Sequence, residues 1–322
     1  MTLNIDLYDR KILYELEKNC RQTNKQIAKK VRLSEQVVGN RIKKLVENKV
    51  IDYFYVKANP RVLDLMHIKV YLRLHNITKG KEKELLEELK KKKGFFWLAS
   101  LRGKYDWVIS IYVKNITDFS TRYEELFEEW GDYILDRNII VLEKGSTFTK
   151  AYFVPKQNSE EIVYSGGGEI VTKLDDIDLE LLRVLNDSAR MSLINLAEKL
   201  KISADTVRYR MNNLRNKGVI TGFATKINFE ILGMTYHIIS IKLQNMTKNK
   251  HAKLKTISKM NKNIIVYIKT IGDHDIEIET ETSSKEELDV ILRTLRDNFV
   301  NEIKDYDLLE VTKEHRLAFF PF

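Results

Sequence analysis

Cysteine and proline are scarce in this sequence, with one cysteine, Cys20, and three prolines among 322 residues. A lone cysteine excludes an intrachain disulfide and argues against a cysteine-built metal site, so we expect no metal and no other cofactor. No apolar run approaches the ~20 residues that span a bilayer. Residues 1–10 lack the basic and apolar regions of a secretion signal. We therefore expect a cytoplasmic protein that does not enter a membrane.

The basic excess of two segments equals the net charge of the whole chain. The net charge is +9, and residues 1–59 hold 13 Lys and Arg against 7 Asp and Glu, while residues 173–228 hold 10 against 7. These two segments carry the whole excess. A basic excess confined to two places favours contact with a polyanion there over scattered, solvated lysines.

The two basic segments begin two copies of one sequence. Residues 169 positions apart match over most of the chain, and a constant offset over such a length indicates a duplication. Between the copies, Gln-Asn-Ser and three consecutive glycines predict a flexible linker. Matched pairs include Asp9/Asp178, Leu13/Leu182, Arg21/Arg190, Ser34/Ser203, Val38/Val207, Arg41/Arg210, Gly103/Gly272 and Asp106/Asp275.

Each copy opens with a pattern for three short helices. In copy one, apolar residues over 5–16 recur at helical spacing, and Thr23 with Gln26 forms a capping-box pattern for the second helix. Ser34 is a good N-cap for a third helix, and Ser203 repeats it in copy two. A tight turn between the second and third helices is typical of a helix-turn-helix.

The third helix of each copy predicts a DNA contact. Its polar side can enter the major groove, where its N-terminal residues reach base edges, while amide and guanidinium groups bond bases and lysines bond phosphates. The strands that follow, from Val50 and Val219, predict a small wing. The predicted DNA-binding residues are Ser34, Gln36, Asn40, Arg41, Lys43 and Lys44 in copy one, and Ser203, Asp205, Thr206, Arg208, Tyr209, Arg210 and Asn213 in copy two.

Two alternatives to this DNA contact stay open. A three-helix bundle can serve protein contacts alone, although the basic excess at these segments favours double-stranded DNA as the partner. Arg41 and Arg210 can form ion pairs within their own domains instead of binding phosphate.

The second part of each copy follows a βαββαβ order. Residues 67–75 alternate apolar and polar side chains, which is typical of a half-buried strand, and the last strands are predicted over 139–142 and 307–311. The order matches a ferredoxin-like sandwich. The predicted fold class is therefore α+β, a winged helix-turn-helix domain plus a ferredoxin-like domain, duplicated in tandem. The predicted boundaries are 1–60 and 61–155 for copy one, 156–172 for the linker, and 173–229 and 230–322 for copy two.

The helix-turn-helix segments resemble the Lrp/AsnC family of transcription regulators. Copy one departs from the pattern at Lys49 and Tyr53, where glycines are expected, and its Gly39 weakens the third helix by roughly 1 kcal/mol relative to alanine. The resemblance implies an effector-binding sensor domain and a homo-oligomer or an intrachain pseudo-dimer. Copy two carries the pattern in Asp178, Leu181, Leu182, Leu185, Arg190, Leu196, Ala197, Ser203, Val207, Arg210, Met211, Leu214, Gly218, Val219, Ile220, Gly222 and Phe223.

In this family the sensor domain binds amino acids beside a Gly-x-x-Asp loop. The resemblance implies an amino-acid effector at Gly103, Tyr105 and Asp106, and at Gly272, Asp273 and Asp275. The alternative is that each loop is only a turn, in which glycine permits a close approach and aspartate bonds backbone amides.

One strand of copy two carries three acidic residues. Alternation puts Glu277, Glu279 and Glu281 on one face, where three carboxylates need cations nearby. We expect Lys242 or Lys269, on neighbouring strands, to supply them. The alternative is a site for a cationic ligand such as lysine, arginine or a polyamine.

Two other functions compete with a sequence-specific regulator that binds an asymmetric DNA site. Some relatives with this architecture are sirohaem decarboxylases, which need histidine and arginine groups around a tetrapyrrole, whereas the six histidines here form no cluster in the sequence. A sensor or scaffold that has lost DNA contact is the third candidate. We therefore predict a transcription regulator and not an enzyme.

Overall fold

The computed structural model describes residues 3–154, 159–165, 171–245 and 247–320. The second and third helices of copy one begin at the predicted side-chain caps. Thr23 and Gln26 form a complete capping box, and the Ser34 hydroxyl accepts a hydrogen bond from the Val37 amide. The first domain consists of α1 (Leu7–Lys18), α2 (Asn24–Val31), α3 (Glu35–Glu47) and strand β1 (Ile51–Ala58).

The second domain of copy one has the predicted βαββαβ order. Its first strand is apolar on one face and polar on the other, but both faces are buried. The elements are β2 (Met66–Leu74), α4 (Lys79–Lys91), β3 (Phe95–Arg102), β4 (Trp107–Val113), α5 (Ile116–Trp130) and β5 (Ile134–Phe148).

The predicted linker at 156–172 contains a strand, which corrects the expectation of a flexible segment throughout. Strand β6 (Glu161–Ser165) pairs antiparallel with the end of β5, with Val163 opposite Ser146. The Ser146 hydroxyl donates to Glu161 at 2.7 Å. The short run Glu161-Ile162-Val163 has the composition of a strand. The polar and glycine residues on either side of it favoured a linker over the whole segment. The three glycines at 166–168 lie outside the described residues.

Copy two repeats the same elements in the same order. Asp175, Ser192 and Ser203 cap its first three helices. Its first domain consists of α6 (Asp176–Leu185), α7 (Leu193–Leu200), α8 (Ala204–Asn216) and β7 (Ile220–Ile227), and its second of β8 (Thr235–Leu243), α9 (Lys248–Met260), β9 (Ile264–Ile271), β10 (Ile276–Thr282), α10 (Lys285–Asn298) and β11 (Ile303–Leu317).

The strands predicted to enter a wing in each copy pair with each other instead. β1 and β7 form an antiparallel two-stranded ribbon in which Val56 lies opposite Phe223. The Asn59 amide donates to Val219 and the Asn228 amide donates to Val50, so the ribbon closes alike at both ends. A single strand cannot satisfy its own backbone groups, and here each copy supplies the partner of the other.

The sensor strands of both copies form one continuous sheet that closes on itself. Its order is β2-β4-β3-β11-β8-β10-β9-β5, and β5 also pairs with β2. The closure depends on two long last strands. The first half of β5 pairs with β2 and its second half with β9 of copy two, while β11 pairs first with β8 and then with β3 of copy one. Each copy therefore ends by completing the sheet of the other.

The predicted last strands at 139–142 and 307–311 are much too short for this reason. The observed strands run over Ile134–Phe148 and Ile303–Leu317, 15 residues each. Local periodicity indicated only the part that pairs inside one copy. The additional length is stabilised by hydrogen bonds to the other copy.

The closed sheet has an outer and an inner face. On the outer face, Ile68 and Val70 pack beneath α4 and α5, and Ile276 and Ile278 pack beneath α9 and α10. The inner faces of the two copies pack against each other. The three-helix domains also share one core, which includes Leu13, Leu16, Leu181 and Leu185. The two copies thus pack together both in the three-helix domains and in the closed sheet.

Candidate DNA-binding surface and the buried cluster between the copies

Helix α3 has the exposed polar face that a DNA contact needs. Val38, Ile42 and Leu45 are buried against the domain core. The opposite side is exposed over its whole length and consists of the predicted residues Gln36, Asn40, Lys43 and Lys44, with the Ser34 cap also exposed.

Helix α8 presents a different exposed surface. Tyr209 leaves 70% of its surface open to solvent. Beside it, Arg208 forms an exposed ion pair with Asp205 at 2.6 Å. Thr206 and Asn213 are half-buried, and the Ser203 cap is exposed. An exposed aromatic and a guanidinium at the start of the helix differ in chemistry from the amides and lysines of α3.

Arg41 and Arg210 engage in the intradomain ion pairs that were the alternative to phosphate binding. Arg41 lies 2.8 Å from both Asp6 and Asp9, and Arg210 lies 2.7 Å from Asp175 and 2.9 Å from Asp178. Hydrogen bonding to Asp9 and to Asp175 raises the pKa of Arg41 and Arg210, respectively. These contacts join each third helix to the first, and phosphate binding by either arginine stays a prediction.

The two three-helix domains exchange a reciprocal pair of arginine contacts. Arg21 donates to two carbonyl oxygens in the segment 189–191 of copy two, at 2.6 and 3.0 Å. Arg190 donates to the carbonyl oxygens of Cys20 and Gln22 in copy one at the same distances. Both side chains are half-buried. The repeat revealed this matched pair, but only the structure shows that it holds the two domains together.

The two Gly-x-x-Asp loops act as turns that pack against the other copy. A Cβ on Gly103 would lie 2.9 Å from Leu309, and one on Gly272 would lie 2.7 Å from Ile140. Both glycines have positive φ, 138° and 151°, which favours glycine.

The aspartates of these loops already have backbone partners. Asp106 accepts from the Leu74 amide and Asp275 from the Leu243 amide, each at 2.7 Å. Tyr105 is buried and packs on a tyrosine of β2, while Asp273 is paired with a lysine of β8. The contacts expected of a turn are thus present, and an effector role for these residues stays a prediction.

The three carboxylates of β10 lie on the inner face of the sheet, where they are buried. Lys69, from β2 of copy one, bonds both Glu277 and Glu279, the latter at 2.9 Å. Lys150 of copy one pairs with Glu281. Three tyrosine hydroxyls complete the set, since Tyr71 donates to Glu277, Tyr236 to Glu279 and Tyr152 to Glu281.

The prediction that Lys242 or Lys269 neutralises this cluster was therefore wrong. Lys242 pairs with Asp273 at 3.0 Å and Lys269 with Glu143 at 2.6 Å. Both of these lysines are at the surface. The three carboxylates of β10 are buried against copy one instead and pair with its lysines. Lys69, which pairs with two of the three carboxylates, lies 208 positions before Glu277, and no local pattern connects the two residues.

The cluster shifts the pKa values of its members in opposite directions. Burial alone would raise the pKa of Glu277, but Lys69 and His274 beside it hold that pKa well below its usual range. Burial raises the pKa of Glu279 to about 7, and the nearby Glu277 carboxylate adds to the rise. Glu277 therefore stays ionised at neutral pH, whereas the pKa of Glu279 lies close to that pH.

A cavity of about 100 Å³, here called the central cavity, lies beside this cluster. It is bounded by the inner faces of both copies, by the β1–β7 ribbon and by α1. It contains a mixture of charged, hydroxyl and apolar side chains. Among its lining residues are Glu17, Lys57, Lys69, Ser110, Thr225 and Glu279.

Two further features bear on the class of protein. Within the described residues, no three His, Cys, Asp or Glu side chains come together as a metal site requires. Of the helices in the described ranges, none has the length and apolar character that crossing a bilayer requires.

The comparisons with known proteins agree with the helix-turn-helix assignment. A family model described as winged helix-turn-helix DNA-binding matches residues 5–52 and 174–221. The chain is 36% identical over 104 residues to the HTH-type transcriptional regulator Ptr1 of Methanocaldococcus jannaschii, a match that covers 32% of this chain and 68% of Ptr1. It is 28% identical over 119 residues to the HTH-type transcriptional regulator FL11 of Pyrococcus furiosus, covering 37% and 78% of the two chains.

The fold is shared over nearly the full length with a solved structure. The siroheme decarboxylase NirDL superimposes with a TM-score of 0.62, covering 97% of this chain and 93% of NirDL, at 13% sequence identity. An identity this low shows a common fold and does not transfer a reaction.

The fold and the exposed third helices define a tandem winged helix-turn-helix protein. With its relatives, they place it among DNA-binding transcription regulators. The chain belongs to the family of HTH-type transcriptional regulators that includes Ptr1. The finer resemblance to the Lrp/AsnC regulators stays a prediction.

Proposed function

We propose that the chain binds an asymmetric site in double-stranded DNA with α3 and α8 acting as one preassembled pair. The observation that carries this proposal is that both third helices expose their polar faces while their domains are joined by a shared core, a ribbon and reciprocal arginine contacts. The proposed contacts are those predicted from the sequence. Because the two faces differ chemically, the two half-sites differ in sequence.

The proposed unit is an intrachain pseudo-dimer. Single-copy members of the family would need two chains to form the ribbon and to close the sheet, whereas here one chain supplies both halves. Further association of whole chains into a homo-oligomer is compatible with this arrangement. A regulator that acts on the chromosome works in the cytoplasm, so that localisation remains part of the proposal.

Footprinting of the tagged protein on its own genome tests the proposal. We expect protected sites with two unlike half-sites about 34–36 Å apart, or a multiple of that, along the duplex. Fluorescence anisotropy on a recovered site should show an affinity that falls steeply with salt, because phosphate contacts release counterions. Protection of perfect palindromes, or no protection at any site, would contradict the proposal.

We also propose that DNA binding responds to a small molecule such as an amino acid. The sensor domain and the three-helix domains share the central cavity, so a ligand there would contact both. Anisotropy titrations with and without each amino acid test this response. An unchanged affinity in every case would remove it.

A decarboxylase acting on a tetrapyrrole is the second candidate, and only the NirDL fold favours it. Pockets for drug-sized ligands are typically about 300–1,000 Å³. The central cavity has only about 100 Å³, with His67 as its single histidine and no arginine on its wall, and a larger cavity of about 430 Å³ beside Arg10 and Tyr152 has no histidine on its wall. We therefore propose that the chain is not such an enzyme. A Soret shift on mixing with iron-uroporphyrin would reverse this conclusion.

A further inference from the structure

Helix α9, in the sensor domain of copy two, carries basic side chains and no acidic ones. The segment 247–263 contains six lysines and one histidine, and neither Asp nor Glu. Outside the two three-helix segments the charges of the chain cancel, so a count over that region does not reveal this concentration. The lysines are Lys248, Lys250, Lys253, Lys255, Lys259 and Lys262.

The matched helix of copy one, α4, carries charges of both signs. Its Glu82 and Glu84 occupy the positions at which α9 has His251 and Lys253. Within α4, Lys81 pairs with Glu84 at 2.8 Å. The sensor fold therefore does not require the basic excess of α9, since α4 takes the same place in copy one without it.

Three of the α9 lysines lie in a line along one flank of the helix. Lys248, Lys255 and Lys259 are seven and then four residues apart, and these spacings superimpose side chains on one helix face. The line is roughly 16 Å long, because a helix rises by about 1.5 Å per residue. Lys262 follows in the turn directly after the helix. These four residues are here named the α9 stripe.

Carboxylates of the same chain reach only part of the α9 stripe. Lys255 pairs with Glu161 of β6 at 2.5 Å, and Lys262 lies 3.7 Å from Glu287. Lys248 and Lys259 are exposed and, in the part of the chain that the structure describes, form no ion pair. Solvent-exposed ion pairs are weak, so the stripe can exchange its two intrachain partners for an external polyanion.

The α9 stripe continues toward the candidate DNA-binding face of α3. Lys262 lines the cavity of about 430 Å³ together with Asn4 and Arg10, at the start of copy one. Asn4 also lines a neighbouring surface depression together with Asn40 and Lys44 of α3. Polar and basic side chains thus extend from α3, past the start of α1, to the end of α9. This path begins at the third helix of copy one.

We propose that the α9 stripe binds the phosphate backbone of double-stranded DNA beside the half-site that α3 contacts. The inference rests on the proposed function, because α3 must first position the duplex. Charge selects the occupant, since the stripe is a line of cations and a duplex carries one negative charge per about 1.7 Å of its axis. Lysine contacts to phosphate position the duplex without reading its sequence. The protein is therefore expected to cover more DNA beyond the α3 half-site than beyond the α8 half-site.

Duplexes extended on one side test this asymmetry. Anisotropy over a salt series is measured on a recovered site, on the site extended by about 20 bp beyond the α3 half-site, and on the site extended equally beyond the α8 half-site. Two to four phosphate contacts at about 0.9 each should steepen the slope of log affinity against log salt by about 1.8–3.6 on the first extension. The second extension should leave that slope unchanged. Equal slopes on the two extended duplexes would overturn the proposal.

Matched charge variants locate the contact. Lys248→Gln with Lys259→Gln removes the two unpaired cations of the stripe, and Lys79→Gln with Lys90→Gln makes the same change at the matched positions of α4. On the duplex extended beyond the α3 half-site, the α9 pair should lower the slope by about 1.8, because two phosphate contacts are lost. The α4 pair should not change it, and circular dichroism confirms that both variants fold. An equal loss from the two pairs would show an effect of net charge alone and refute the stripe.

The same reagents separate the other outcomes. The exposed side of α5 is acidic, so a second chain is the competing occupant of the stripe. Sedimentation velocity without DNA would then show an assembly that the α9 variant dissolves and the α4 variant keeps, and that result would refute the proposal. A chain that binds its site with one slope on all three duplexes refutes the stripe alone. A chain that protects no genomic site refutes the proposed function and this inference with it.

Discussion

The inner faces of the two sensor copies have become chemically complementary. At matched positions, β4 carries Val108, Ser110 and Tyr112, whereas β10 carries Glu277, Glu279 and Glu281. On β2 and β8, the strands that pair with β4 and β10, Lys69 of copy one corresponds to Ile238 of copy two. The acid is therefore on one copy and its cation on the other.

This difference shows how a fused duplication favours one pairing over the alternatives. Two second copies packed together would bury six carboxylates with no lysine at this position, and two first copies would bury the lysines with no acid. Only the unlike pairing neutralises the charges, because an unpaired buried charge is strongly destabilising. The predictions below test how far each copy depends on the other.

Lys69→Met should produce the largest effect. It leaves Glu277 and Glu279 buried without their shared cation, so we expect a loss of about 3–5 kcal/mol in the free energy of unfolding, measured by urea denaturation. The matched control is Lys242→Met, which removes an exposed ion pair of copy two and should cost below about 1 kcal/mol. Similar losses for the two variants would show that the cluster does not select the pairing.

Arg21→Ala and Arg190→Ala test whether the reciprocal contacts are equivalent. Each removes charged hydrogen bonds to carbonyl oxygens of the other copy, and we expect each to cost about 1.5–3 kcal/mol in the free energy of unfolding. Arg190 also donates to the Asn24 side chain, so its loss should be the larger. A smaller loss for Arg190→Ala would contradict this ranking.

Substitutions in α3 and α8 test whether the two heads read DNA differently. Lys43→Ala with Lys44→Ala removes two exposed cations and should reduce the slope of log affinity against log salt by about 1.8. Tyr209→Ala removes an uncharged side chain. It should lower the discrimination between bases in one half-site by about 1–3 kcal/mol, with little effect on the salt slope.

Anisotropy over a salt series, on sites mutated in either half, measures both quantities. Glu128→Gln, a change at an exposed position of α5, serves as a control because α5 belongs to the second domain of copy one. Equal changes in slope and in sequence preference for the two sets of variants would mean that the heads are interchangeable.

Gly39→Ala should have the smallest effect. Alanine favours the helix by roughly 1 kcal/mol, but its Cβ would lie 3.1 Å from the Asn24 side chain, which must move slightly. We expect a net gain in the free energy of unfolding below about 1 kcal/mol. Gly80→Ala in α4, with no contact below 3.9 Å, provides the gain without that strain. A loss of stability on Gly39→Ala alone would show that Asn24 cannot adjust.

Local patterns predicted the elements well, because their causes are local. Capping residues such as Thr23 and Ser34 determined where helices begin, and alternation in β2 identified its two faces. The exposed sides of α3 and α8 followed from the same reasoning, since an apolar stripe leaves the polar one outside.

Contacts between the copies were beyond such patterns. Alternation distinguished the polar face of β10 but did not reveal what covers it, and Lys69 is remote in sequence from its partners. The pairing of β1 with β7 and the second halves of β5 and β11 have the same origin. The clue available in the sequence was the contrast at matched positions, where lysine replaces isoleucine on one strand and glutamate replaces valine, serine and tyrosine on the next.

The crossing of β5 and β11 into each other's sheets gives the join between the copies an unexpected role. If a protease cut the chain at 166–168, the backbone hydrogen bonds of β11 with β3 and of β5 with β9 would still join the two fragments. The fragments should then elute as one species from a size-exclusion column. Elution as one species would show that the covalent link is not needed to hold the folded copies together. The link would then serve to fix stoichiometry, since every copy two, with its buried carboxylates, is synthesised together with a copy one whose Lys69 and Lys150 neutralise them.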